Sequence, residues 1–403
     1  MAGRRRGSWV PGICAALLVG CGLVGCGGPS APDAAPAEVR GLLDRRADAV
    51  LDRDVEAYRA TGRDAEAADV YDNLREVPLK SWQYRLTAFE RSGTRATATA
   101  DLRYRIKGYD SEPLTTSRAL TLKERDGRWY VAAERPAEKA TEQLWDQGPV
   151  TSVRGAHSLV LGIGRGERDE ETLRGYADLA DRAAPLVSDA WPGKWPGRVV
   201  VLVPKSLGGM AGLLGAPASG YKGIAAVTTG EAGGSGAAPA DRIIVNPEAY
   251  GLLGDFGKQV VLTHETAHVA TRARTSPATP LWLSEGFADW VGYRGTGRTA
   301  VQAAPELRRA VQREQLPGAL PDDEAFGFSG EAGKLAQAYE GSWLACRMIA
   351  DQWGEEKLTG FYEEVGEHKK RPGAVQDALK DVLDTSEQEF TARWRTYLRE
   401  ELG

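Results

Sequence analysis

The sequence predicts an α+β protein built from two folded regions, on three observations. Toward the N-terminal side, the spacing of apolar residues changes from helical to strictly alternating. After residue 150, short apolar strands come first and helices then follow almost without interruption. Where the strands give way to the helices stands His264-Glu265-Thr266-Ala267-His268, with two histidines four residues apart and hence on one helix face.

The chain has 403 residues, enough for two domains each able to bury a core. A hydrophobic content of 42% and a charged content of 27% are those of an ordinary soluble globular protein. The net charge of −5 offers no basic footprint for nucleic acid and argues against electrostatic docking on anionic lipid.

Residues 1–26 read as a lipoprotein signal peptide. Arg4-Arg5-Arg6 is followed by an apolar run, residues 9–24, too short and glycine-rich to span a bilayer. Leu-Val-Gly-Cys occurs twice, ending at Cys21 and at Cys26, and resembles the bacterial lipobox, whose cysteine carries the lipid. Cys26 is the preferred lipidation site because the tether Gly27-Gly28-Pro29-Ser30-Ala31-Pro32 follows directly and runs to about residue 37. The expected location is the outer face of the bacterial cytoplasmic membrane, lipid-anchored or else secreted. Cys346 is the one cysteine beyond this segment, inside the apolar helix expected at 339–349, and reads as core filler.

In the first folded region, 38–147, helical spacing over 38–58 gives way to period-two runs at 82–88, 96–106, 114–123 and 129–133. Asp126-Gly127 is the turn signal of a hairpin. A helix followed by a curled antiparallel sheet that ends in Asp126-Gly127-Arg128-Trp129-Tyr130 resembles the nuclear-transport-factor-2-like cone. That fold can house a ligand or an active site, but this stretch has no histidine and no acid–base constellation, so it reads as a scaffold or recognition module. A break at Gln147-Gly148-Pro149 opens the second region, 150–403. Strands are expected at 157–162, 198–203, 224–229 and 242–246, with a helix at 170–191 and glycine-rich loops at 208–220 and 230–240. The motif helix spans about 254–271, and helices continue to about residue 401.

On the motif helix His264 and His268 can face one cation as neutral imidazoles, with Glu265 beside the open coordination position to take a proton from water. Pro277 and Pro280 break the chain, and a second helix over Leu281–Tyr293 presents Glu285 as a third ligand. Asp289 lies one turn further along that face, where a carboxylate can fix the tautomer of a ligating histidine. The cofactor implied is Zn²⁺.

His-Glu-x-x-His followed by Trp-Leu-x-Glu-Gly-x-Ala, within residues 260–293, is similar to the gluzincin metallopeptidases, the thermolysin-like or peptidase MA-like group. The resemblance implies a zincin-like domain, with Glu265 as general base, Glu285 as ligand and Asp289 as partner of a histidine ligand. It also suggests a catalytic role for Tyr339, in Ala338-Tyr339-Glu340-Gly341. The metzincin pattern is excluded, because Thr271 and Arg274 stand where its glycine and third histidine belong. A Gly-x-Met-Glu-Asn stretch of the gluzincin aminopeptidases is absent as well, which leaves an endopeptidase as the default. His157 and His368 are assigned no role. Strand 224–229 could pair with an extended substrate as an added sheet strand.

The function expected is therefore zinc-dependent hydrolysis of peptide bonds in a peptide or protein substrate. Two alternatives share these residues: a partner-binding lipoprotein without turnover, and a zinc hydrolase of a cell-wall amide.

Overall fold

The computed structural model describes residues 34–62, 65–229, 240–327 and 331–403. The signal segment with Cys21 and Cys26, most of the tether and nearly all of the 230–240 loop lie outside them.

The first helix, α1 (Ala35–Leu51), buries Val39, Leu42, Leu43, Ala47 and Val50 at the expected spacing. It is shorter than the 38–58 helix read from the sequence. Arg53 takes a left-handed backbone at φ 58°, and Asp54 accepts the Ala57 N–H, so a new helix, α2 (Val55–Thr61), begins. The Arg53 guanidinium holds the break by donating to the carbonyls of Leu74, Arg75 and Val77. After α3 (Ala65–Leu74), strands β1 (Leu79–Ser92), β2 (Arg95–Ile106), β3 (Leu114–Arg125) and β4 (Arg128–Pro136) form an antiparallel sheet in chain order. Alternation on β2 buries Ala96, Ala98, Ala100, Leu102, Tyr104 and Ile106 against α1 and its neighbours. Asp126 and Gly127, both at positive φ, turn β3 into β4 as their sequence predicts.

A chain of buried charges crosses this core. Glu134 on β4 receives Arg46 from α1 at 3.2 Å, Arg118 from β3 at 3.3 Å and the Tyr84 hydroxyl at 2.9 Å. Arg118 also holds both oxygens of Asp146, at 2.9 and 2.7 Å.

The second sheet has the order β5-β6-β7-β9-β8. Its strands are β5 (Val150–Arg154), β6 (Ser158–Ile163), β7 (Val199–Val203), β8 (Ala226–Thr228) and β9 (Ile243–Val245). β6 and β7 are parallel, joined by the long helix α4 (Glu167–Ala190), and β8 is an antiparallel edge. The loop expected at 208–220 is partly helical instead, as α5 (Leu207–Leu214). The Ser206 hydroxyl accepts the Gly209 N–H at its start, and Gly215, at φ 66°, closes its end. These caps outweigh the poor helix propensity of the glycines between them.

The two sheets share apolar core. Leu144, Trp145, Val150, Leu159, Leu161, Val200 and Ile244 belong to the same buried cluster as the β1–β4 interior. Arg242 reaches across to Asp110 at 2.8 Å, and the Tyr109 hydroxyl donates to the Ser158 carbonyl at 2.8 Å.

Helices make up the rest: α6 (Pro247–Gly251), α7 (Asp255–Thr271), α8 (Leu281–Tyr293), α9 (Ala300–Ala303), α10 (Pro305–Gln312), α11 (Ala332–Trp353), α12 (Glu355–Glu367), α13 (Ala374–Leu383) and α14 (Glu387–Leu402). Their common core includes Trp191, Trp282, Phe287, Trp343, Tyr362, Phe390 and Trp394. Cys346 is fully buried there, as its reading as core filler requires. Gly286 sets the distance between α8 and α11, because a Cβ at that position would lie 2.3 Å from the Ser342 carbonyl oxygen. Any larger residue would push the helix carrying Glu285 away from the one carrying Tyr339. No helix among the described residues is long and apolar enough to cross a membrane.

Candidate metal centre

α7 lies between α4 and α8, with Leu262, Thr266, Ala267 and Ala270 buried. This seating turns His264 and His268 toward α8. The two Nε2 atoms stand 2.9 Å apart, with the rings steeply inclined at 75°. From α8, Glu285 Oε2 lies 3.2 Å from His264 Nε2 and 3.6 Å from His268 Nε2. Asp289 Oδ1 sits 2.8 Å from His264 Nδ1. A carboxylate accepts there, so Nδ1 carries the proton and Nε2 turns a lone pair toward His268 and Glu285.

The donor set fits a small tetrahedral cation. Ligands held at about 2.0–2.1 Å from zinc stand roughly 3.3 Å from one another in a tetrahedron. Separations of 2.9, 3.2 and 3.6 Å bracket that value. Among the described residues these are the one group of three or more His, Cys, Asp or Glu side chains that converges in this way. Burial by itself would lower the basicity of the His264 ring, but Asp289 and Glu285 outweigh it and hold the imidazole well above its ordinary pKa. Burial would raise Glu285, yet the facing imidazoles, His268 foremost, hold it below the usual carboxylate range. Glu285, buried, and Asp289, half-buried, both bring negative charge against the rings.

Glu265, on the same helix and 5% exposed, is held from the sheet edge. The Thr228 hydroxyl on β8 donates to Glu265 Oε2 at 2.7 Å and also lies 3.1 Å from its backbone oxygen. Local sequence pattern does not single out Thr228. Its only signal was a position near the end of the strand expected to flank the site.

Tyr339 stands in the third turn of α11, its ring centre 6.4 Å from that of His264 and edge-on to Phe326. It therefore borders the cluster. A cavity of about 770 Å³ opens beside it, walled by Asp289, Tyr293, Tyr339, Glu340 and Trp343 among others. His157 and His368 lie apart from the site. The first has Nδ1 3.0 Å from the Gly197 carbonyl, and the second ends α12.

No family model matches the chain, and no curated protein matches it. Among solved structures, a function-unknown protein from Mycobacterium tuberculosis is 14% identical over 26% of this chain and 70% of its own, with a TM-score of 0.22. The M1 zinc metallopeptidase from Deinococcus radiodurans is 17% identical over 77% of this chain and 62% of its own, with a TM-score of 0.33. Native yeast LTA4 hydrolase is 10% identical over 79% and 59%, with a TM-score of 0.38. The chain thus spans about three-fifths of the length of the latter two. None of the three reaches a TM-score of 0.5, so the reading of the site rests on its own residues.

Proposed function

We propose that the chain is a zinc-dependent metallopeptidase of gluzincin type, an endopeptidase held by a lipid on Cys26 at the outer face of the cell membrane. The observation that carries the catalytic part is the convergence of His264, His268 and Glu285, with Glu265 buried on the same helix as the two histidines. In this reading residues 150–403 form the catalytic domain. Residues 38–147, as a nuclear-transport-factor-2-like module, position it or its substrate.

The three side chains would hold zinc, which when bound activates water and polarises a carbonyl. Glu265 accepts the proton of the attacking water at Oε1 or Oε2 and returns it to the departing amide nitrogen. The Thr228 hydroxyl, donating to Oε2, holds the orientation of that carboxylate. Asp289 fixes the His264 ring by accepting its Nδ1 proton. Tyr339, which borders the cluster, is the candidate to donate a hydrogen bond to the developing oxyanion. The apolar packing of α7 and α8 keeps bulk water from the back of the site.

Elemental analysis of the purified protein tests this reading, with His264→Ala beside the wild type. About one zinc per chain is expected in the wild type and little in the variant, with peptide hydrolysis lost on chelation and restored by zinc. Folded protein that takes up no zinc when supplied overturns the reading.

Thr228→Val is a subtler probe. It removes the donor to Glu265 while keeping the β-branched shape that suits the strand. We expect a roughly tenfold lower kcat with zinc content unchanged, because the base loses its orientation and not its chemistry. A variant as active as wild type would remove Thr228 from the machinery.

A further inference from the structure

The cavity beside the metal ligands carries one feature that the hydrolytic chemistry does not use. Glu340 follows Tyr339 on α11, is half-buried and lines the cavity. Its two oxygens accept the backbone N–H groups of Glu306 and Leu307, at 3.2 and 2.5 Å, where α10 begins. These contacts fix the carboxylate in place without neutralising it. No Lys or Arg side chain among the described residues forms an ion pair with Glu340. The nearby Arg309 pairs with Glu306, and Lys222 stands at the exposed rim of the cavity. The other carboxylate of the wall, Asp289, is committed to His264.

Around Glu340 the wall is aromatic and aliphatic. Tyr293 and Trp343 have their ring centres 4.9 Å apart, and Leu335 lines the same space. Such a wall accepts the methylene stem of a long side chain and favours a cation close to its rings. An uncharged side chain would satisfy the wall and offer the half-buried carboxyl group no ionic partner.

We propose that this cavity binds the arginine or lysine side chain of a peptide substrate next to the bond that is cleaved, with Glu340 as its ionic partner. The proposal rests on the peptidase reading and names its substrate class. Burial pushes the Glu340 carboxyl up to about 7, even though the Leu307 and Glu306 N–H groups oppose that rise. Near neutral pH the group is therefore only partly ionised, and an arriving cation draws it into the carboxylate form. The same ionic chemistry could be met by a free amino terminus, so the test separates the two sources.

The experiment uses zinc-loaded full-length protein and paired peptides that differ only by arginine or its uncharged isostere citrulline, each with an acetylated and with a free amino terminus. Wild type is expected to favour arginine in kcat/KM by about tenfold or more. Glu340→Gln, which keeps an acceptor for α10, should bring that ratio close to 1, and Glu340→Asp should keep part of it. Equal rates on arginine and citrulline in the wild type overturn the proposal and leave the peptidase reading intact. So does an arginine preference that survives Glu340→Gln. A requirement for a free amino terminus in place of the basic side chain overturns it as well, by assigning Glu340 to the terminal amine. If zinc is bound and no peptide is cleaved, the peptidase reading and this proposal fall together.

Discussion

Glu265→Gln is expected to lower kcat by about 10²–10⁴-fold while zinc content stays at the wild-type level. Glutamine keeps the length of the side chain and an oxygen that can accept from the Thr228 hydroxyl, at the position now held at 2.7 Å. What it loses is the capacity to take a proton. His264, His268 and Glu285 remain in place, and Asp289 still orients the His264 ring at 2.8 Å. Metal affinity and proton transfer are therefore separable here. His264→Ala should abolish both, whereas Glu265→Gln should abolish turnover alone. The decisive measurement is kcat on a cleaved peptide together with zinc per chain in the same preparation. A variant retaining more than about a tenth of wild-type turnover would place the base elsewhere. Loss of zinc from the variant would make Glu265 part of the metal-holding structure.

The contrast with Thr228 shows how much of the centre was legible in the sequence. Spacing of four residues placed His264 and His268 on one face, and helix periodicity placed Asp289 one turn beyond Glu285. The structure brings all of them together. Thr228 and Glu340 escaped because their positions depend on tertiary packing. Thr228 meets Glu265 only because β8 forms the sheet edge beside α7, a fact of strand order and not of local pattern. Glu340 acquires its environment from the start of α10, 33 and 34 residues away in the chain. The same distinction governs the fold. Alternation on β2 and the Asp126-Gly127 turn are local signals, and the structure shows both. The break between α1 and α2 depends on Arg53 reaching the carbonyls of residues 74, 75 and 77, which no window on residues 38–58 contains. The glycine content of 208–220 predicts a loop, whereas the helix there depends on the caps at Ser206 and Gly215.

Arg118→Leu should produce the largest loss of stability, about 3–5 kcal/mol, read as a lower midpoint in denaturant titration of zinc-loaded protein. The guanidinium is fully buried and joins Glu134 to Asp146. Burial opposes its charge, but the hydrogen bonds to Asp146 and the charge of Glu134 prevail and hold the group above its ordinary pKa. Leucine removes that charge and leaves the two acids facing apolar surroundings. Glu134 keeps Arg46 and the Tyr84 hydroxyl, while among the described residues Asp146 keeps the Gln143 N–H at 2.8 Å. The greater cost therefore falls on Asp146, at the 3₁₀ turn (Leu144–Asp146) that leads into β5. That turn supplies Leu144 and Trp145 to the core shared by the two sheets. Loosening it should thus weaken both regions, and unfolding should remain a single transition at lower denaturant. A separate early transition of the N-terminal sheet, with zinc retained, would show that Arg118 stabilises only its own sheet. Exchanging Asp146 for Asn in the Arg118→Leu background removes the stranded charge and should recover part of the loss.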